Sequence, residues 1–397
     1  MISIQNSSLE GKKVLIRVDF NVPLDEDFLI TDNSRILAAL PTIKKVISCG
    51  GKAIIMSHLG RPKDGFEEKF SLKHIINPLS TLIDKTVAFS DDCIGEGTVA
   101  DISKMENGDV LVLENLRFYK EEKLGSLKFA KQLSELADIY INDAFGTAHR
   151  AHASTAIIAD YFPNNKHFGF LLSTEIESLE KALANPKRPF TAIIGGAKIT
   201  GKIDVIKSLF DKVDNLIIGG GMAYTFIKAC GGNVGRSLVE EEKITLARRL
   251  IEDAKNKSVN LLLPRDSVNS NDFKNDAKIN ITDIENIADE YMGLDIGPKS
   301  ISAFSSVIKN SKTLIWNGPM GVFEMENFSK GTKGVCEAIC LATESGAFSL
   351  VGGGDSVAAV KKFGFSNKVS YISTGGGAML EYLEGKKLPG VVAIQKR

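Results

Sequence analysis

Short apolar runs punctuate the chain, and each ends abruptly in polar residues or in glycine. In the first half these are KKVLIRVDFN (12–21), KAIIMSHLGR (52–61), VLVLENLRF (110–118) and DIYINDAF (138–145). In the second half they are TAIIGGAK (191–198), NLIIGGGM (215–222), TLIWNGPMG (313–321), FSLVGGGDS (348–356) and VSYISTGGG (369–377). The runs are rich in Val and Ile and do not alternate, the pattern of parallel strands covered on both faces. Between them lie amphipathic segments of helical length, such as 127–136, 204–210 and 239–256. Strand alternating with helix along the whole chain predicts an α/β fold with crossover connections.

The domain boundary is expected at 165–190. Phe162-Pro163-Asn164-Asn165 is loop chemistry, and Thr174 with Glu177 reads as a capping box opening a helix that runs to Leu183. Asn185-Pro186 and Arg188-Pro189 then stop it. The expected division is 1–170 and 171–388, the second part beginning with a hinge helix, and the tail 389–397 packing back on the first domain.

A chain of 397 residues exceeds what one core ordinarily supports, in keeping with two domains. A net charge of zero excludes a global field that would recruit nucleic acid or membrane, so any anion site must be built locally. The five cysteines form no CxxC pair and read as buried free thiols. With no apolar signal core at the N-terminus and no run near the roughly 18 apolar residues of a membrane span, a cytoplasmic protein is expected, by default a monomer.

In open parallel sheets, ligands bind beyond the carboxyl ends of the strands. The second-half runs place Gly352-Gly353-Gly354-Asp355 and Gly375-Gly376-Gly377 there, each turn leading into a helix. Free N–H groups at such turns hold phosphate without a charged side chain. Asp355 would repel phosphate unless a cation intervenes, which points to Mg²⁺; N-capping is its alternative role. The segment 196–203 almost spells a P-loop, but Ile203 stands where Ser or Thr is required. If helical, it carries Lys198 and Lys202 one turn apart, a repulsive pair that an anion would relieve.

The first-half runs end instead on Asp19, Phe20 and Asn21; on His58, Leu59, Gly60 and Arg61; and on Arg117. Arg35 and Arg150 (in GTAHRAHAST) accompany them. Several arginines and a histidine at one sheet edge repel unless a multiply charged anion joins them, and guanidinium forks match phosphate and carboxylate oxygens. Asp19 and Asn21 would accept hydroxyl protons. His149 and His152 lack further ligands for a metal, and no arrangement suggests a covalent nucleophile.

The motifs RVDFNVPL (17–24), SHLGRP (57–62), LENLRF (113–118), INDAFGTAHRAHAST (141–155), GGAK (195–198), GLDIGP (293–298), WNGPMGVFE (316–324), GGGDS (352–356) and STGGGA (373–378) closely resemble those of the phosphoglycerate kinase family over essentially the whole chain. The resemblance implies two Rossmann-like domains, each a parallel sheet covered by helices, joined by a hinge helix. It implies phosphoryl transfer between 1,3-bisphosphoglycerate and MgADP, giving 3-phosphoglycerate and MgATP. The acid would be held by Asp19, Phe20, Asn21, Arg35, His58, Leu59, Gly60, Arg61, Arg117 and Arg150. The nucleotide would be held by Lys198, Lys202, Gly293, Glu324 and Gly352–Asp355, with Asp355 orienting Mg²⁺. Arg35, Lys198, Gly375 and Gly376 would act on the transferring group. Two departures are Gly201, where the family has Asp before Lys202, and Tyr291, where it tends to have Trp. Rival classes are a P-loop-like NTPase using Lys202 and a non-catalytic two-lobed anion-binding protein.

Overall fold

The computed structural model describes residues 4–63 and 65–396. They form two compact units, Met1–Glu177 with Lys387–Arg397, and Ser178–Lys386.

The first unit is a six-stranded parallel sheet of β1 (Lys13–Val18), β2 (Lys52–Met56), β3 (Val87–Ser90), β4 (Val110–Leu113), β5 (Ile139–Asp143) and β6 (Lys166–Phe168). Its spatial order is β3-β4-β2-β1-β5-β6. Ile16 of β1 lies level with Ile55 of β2 and Ile141 of β5, and all three are fully buried. Burying each such side chain contributes about 1.5–3 kcal/mol. The helix Ser34–Ser48 lays Ile36, Ile43 and Val46 on this core. A last helix, Pro389–Gln395, belongs to the same unit; there Gly390 N–H donates to Ala148 O at 2.9 Å.

The second unit adds β7 (Phe190–Ile194), β8 (Asn215–Ile218), β9 (Asn233–Val234), β10 (Asn260–Leu262), β11 (Asp266–Ser270), β12 (Ile279–Asp283), β13 (Asn286–Ile287), β14 (Met292–Ile296), β15 (Thr313–Asn317), β16 (Phe348–Val351) and β17 (Tyr371–Ile372). Its main sheet is parallel, in the order β10-β8-β7-β15-β16-β17. In each sheet the order reverses beside the first strand: β1 has β2 on one side and β5 on the other, and β7 has β8 and β15. Such switch points open a crevice at the carboxyl ends of the strands.

Several expectations need correction. The segment 266–296 is not a simple crossover, because β12, β11 and β14 form a separate antiparallel sheet. The helix at the boundary begins at Phe170, not at a capping box, and ends at Leu183. Thr174 lies inside it and donates its hydroxyl to Phe170 O at 2.8 Å. The helix start is served instead by the buried Asp143 carboxylate, which accepts from Leu172 N–H at 3.1 Å. The expected helix over 239–256 is shorter, a 3₁₀ turn (Glu241–Lys243) followed by Ile244–Asn256. Cys93, Cys336 and Cys340 are buried free thiols, whereas Cys49 is half-buried and Cys230 exposed.

Candidate active site

At the switch point of the first sheet, Asp19 follows β1 directly. Its carboxylate accepts from Arg35 Nη1 at 3.0 Å and from Asn21 N–H at 3.3 Å. Asn21 Oδ1 accepts the Gly60 N–H at 2.8 Å, so part of the acceptor capacity expected to meet a substrate hydroxyl is already engaged. Gly60 (φ +63°) passes so close to Phe70 that an added Cβ would lie 2.2 Å from its ring. The Gly60 carbonyl holds Arg117 Nη1 at 2.7 Å. Phe20 and Leu59 are core residues whose backbone groups are also engaged: Phe20 N–H donates to Ser57 Oγ, and Leu59 O accepts from Asn115 Nδ2. Phe20, Leu59 and Gly60 therefore frame this edge, while Asp19, Asn21, Arg35 and Arg117 present polar side chains along it. Arg61 and Arg150 are exposed.

The charges here act on one another. Burial, and then the cations Arg17, Arg117 and Arg35, hold His58 well below the usual imidazole range. Burial and the Arg17 charge are the leading causes that lower the half-buried Arg117 to about 10. His152, subject to burial and to Arg17, Arg117 and Arg150, is lowered to about 4. Asp19 and Glu122 offset these cations only in part, and a crowded cationic cluster of this kind is a receptor for a polyanion.

Arg17 escaped the sequence reading because it sits inside an apolar strand run. It is 1% exposed and donates Nε–H to Ser154 Oγ at 2.8 Å. Ser154 in turn donates to the buried Glu122, with Oγ at 2.6 Å and N at 2.9 Å.

The second sheet offers a different surface. Beyond β7, β15 and β16 lies a cavity of about 310 Å³. The turn Gly195–Lys198 lines one side, Asn317 and Gly318 the middle, and Gly353–Ser356 with Gly376 and Gly377 the other. Close approach of backbones requires the glycines. A Cβ on Gly195 would lie 2.1 Å from Pro319 O, and Gly353 adopts φ +91° with Asn317 Nδ2 only 2.7 Å from its virtual Cβ. Gly353 precedes the helix Gly354–Lys362, and Asp355 lies in its first turn, exposed at the cavity rather than capping the helix.

Lys198 and Lys202 both line this cavity, and the helical condition for pairing them on one face is not met. The helix begins only at Ile203, and Lys202 is the residue before it. Lys202 Nζ contacts Asn317 Oδ1, and burial brings its ammonium down to about 8 against the pull of Asp355. Glu240, forty residues away in the chain, fastens the loop by accepting from Ile199 N–H and the Thr200 hydroxyl. No local sequence signal marks it.

Gly352 and Gly375 lie behind the lining: Gly352 N–H donates to Trp316 O, and Gly375 N–H to Ser373 Oγ. Gly293 is buried in β14, donating N–H to Ser237 Oγ at 2.9 Å. Glu324 is exposed, its carbonyl accepting from Lys362 Nζ. Neither Gly293 nor Glu324 lines the cavity.

Comparison with known proteins fits two such surfaces in one chain. The family model described as phosphoglycerate kinase matches residues 4–386. A phosphoglycerate kinase of Porphyromonas gingivalis is 53% identical over 418 residues, spanning 99% of this chain and 100% of its own. One from Thermosynechococcus vestitus is 53% identical over 388 residues, covering 98% and 96%. The solved phosphoglycerate kinase from Coxiella burnetii superposes with a TM-score of 0.90 at 41% identity, covering 100% of this chain and 99% of the other. The chain belongs to the phosphoglycerate kinase family.

Proposed function

We propose that this member of the phosphoglycerate kinase family moves a phosphoryl group reversibly between 1,3-bisphosphoglycerate and MgADP, with the acid on the first unit and the nucleotide on the second. The observation that carries this division is the contrast between the two sheet edges. One is built of Arg35, Arg117, His58 and Asp19, and the other of glycine backbone, Lys198, Lys202 and Asp355. Guanidinium groups pair with the carboxylate and phosphate oxygens of a small acid. Bare amides at helix starts suit a polyphosphate.

Transfer requires no enzyme nucleophile. A terminal ADP oxygen attacks the acyl phosphorus in line, the bond from phosphorus to the carboxyl oxygen breaks, and the carboxylate leaves as 3-phosphoglycerate. Arg35 and Lys198 are assigned to the charge on the transferring group, with amides of the Gly353–Gly354 and Gly376–Gly377 turns as further donors. Asp355, a carboxylate exposed at the phosphate cavity, is assigned to the Mg²⁺ that arrives with the nucleotide. The division between units falls at Glu177/Ser178, within the helix Phe170–Leu183, and closure by bending there is proposed to precede transfer and exclude water. Because one chain supplies both surfaces, a monomer is the proposed working form; its five free thiols suit the reducing cytoplasm.

ATP consumption, followed with and without 3-phosphoglycerate, tests the reading. Consumption only with the acid is expected. Equal hydrolysis without it would indicate a simple NTPase.

A further inference from the structure

The buried arginine beneath the acid-binding edge has a role that burial alone does not explain. Arg17 makes no direct ion pair among the described residues, although a guanidinium taken from water into a core is costly without compensation. Its three donor groups are all directed. Nε meets Ser154 Oγ at 2.8 Å, Nη1 meets Val18 O, and Nη2 lies 3.2 Å from His58 Nδ1.

Arginine has donors only and no acceptor. A ring nitrogen facing Nη2 must therefore present its lone pair, which leaves the imidazole's one proton on Nε2. The direction of every bond in the chain is thereby set. Ser154 Oγ accepts from Arg17 and so gives its own hydrogen to Glu122 Oε1, at 2.6 Å. Glu122, 1% exposed, supplies the balancing charge through that serine and also stands 3.8 Å from His152 Nδ1. Arg17 is the sole hydrogen-bond partner of the His58 ring among the described residues; the nearest carboxylate oxygen, Asp19 Oδ1, is 4.0 Å from Nδ1.

We propose that Arg17 is a positioning residue: anchored through Ser154 to Glu122, it fixes His58 as the neutral Nε2–H tautomer, so that the acid site holds a permanent N–H donor for an anionic oxygen. The inference rests on the assignment of His58 to the acid-binding edge.

The first test reads the tautomer in the parent protein. In protein labelled with ¹⁵N in its histidine rings, the His58 signals are identified by their loss in His58→Gln. The expected spectrum shows Nδ1 as the unprotonated nitrogen and Nε2 as the protonated one, with the Nε2 signal moving on addition of 3-phosphoglycerate. A protonated Nδ1 would overturn the proposal outright, whether or not the Arg17 variants fold. Arg17→Met is then expected to give mixed His58 tautomers. It should raise KM for 3-phosphoglycerate about tenfold, the effect of weakening one hydrogen bond to a charged group, while kcat and KM for ATP stay within about twofold. Arg17→Lys, which keeps a donor, should restore part of the Nδ1 acceptor signature. A merely structural role for Arg17 would leave the tautomer unchanged in Arg17→Met, and that result also refutes the idea. An Nε2 signal indifferent to 3-phosphoglycerate, with Nδ1 still unprotonated, would count against the placement of substrate at His58 and leave the tautomer assignment standing.

Discussion

Replacing Arg35 by alanine separates chemistry from stability more cleanly than any other substitution at the acid edge. The guanidinium sits 3.0 Å from Asp19, but its side chain is 38% exposed. At a surface-like dielectric the bare attraction at that separation is about 5–6 kcal/mol. Solvent screening and side-chain entropy reduce an exposed pair of this kind to about 1 kcal/mol or less. For units of this size that corresponds to a fall in Tm of about 2–4 °C. If Arg35 also stabilises the transferring phosphoryl group, its loss should lower turnover by about 10²-fold or more, roughly 3 kcal/mol of barrier. The assay is initial velocity at saturating ATP and 3-phosphoglycerate, beside a thermal melt of the same preparation. Asp19→Asn breaks the same ion pair while retaining the cation, and so measures the pair's own contribution. Turnover of Arg35→Ala within a few-fold of the parent would refute the assignment. So would a Tm loss beyond about 10 °C, because the activity loss would then reflect unfolding.

Burial brings Lys202 down to about 8, so its charge is present below that pH and lost above it. KM for ATP should therefore rise between about pH 7.5 and 9 in the parent and stay flat in Lys202→Met; parallel profiles would exclude the role. Burial raises Asp143 to about 7, so the stability tied to its protonated form is complete below the unfolded value near pH 4 and is lost as pH rises through 7. Urea titrations should show Asp143→Asn gaining on the parent by about 1–4 kcal/mol between pH 4 and 8, whereas a constant difference would mean the carboxyl does not titrate there. Gly353→Ala forces a side chain into φ +91° against Asn317, which also holds Gly352 O and Lys202. A loss of about 1–3 kcal/mol with raised KM for ATP is expected, and an unchanged KM would show that this turn does not shape the nucleotide site.

The strand runs were legible because both faces of the two parallel sheets are covered, and buried strands read as unbroken apolar stretches. Residues just past strand ends, such as Asp19, His58, Lys198 and Asp355, followed from the geometry of open sheets. Where the physics inverted that pattern, the reading failed. In β12, Ile279 and Ile281 are exposed, while Asn280 and Thr282 turn inward to receive the Asn269 side-chain amide. Alternation was present there with its faces exchanged, so the antiparallel sheet was not recognised. Arg17 went unmarked inside its strand run because its partner Ser154 is 137 residues distant. The helical condition that would set Lys198 and Lys202 one turn apart is not met, because Glu240 binds the amides of this turn in a non-helical arrangement. Thr174 had the residue type of a cap, yet the carboxylate serving that helix start comes from the end of β5.

The closing helix Pro389–Gln395 has a consequence for synthesis. Gly390 docks on Ala148, and Ile394 is fully buried, so the first unit awaits residues made after the second. On the ribosome, the intervening 178–386 portion emerges whole while its predecessor still lacks its final buried piece. The first unit is therefore completed only after the whole of the second has been made.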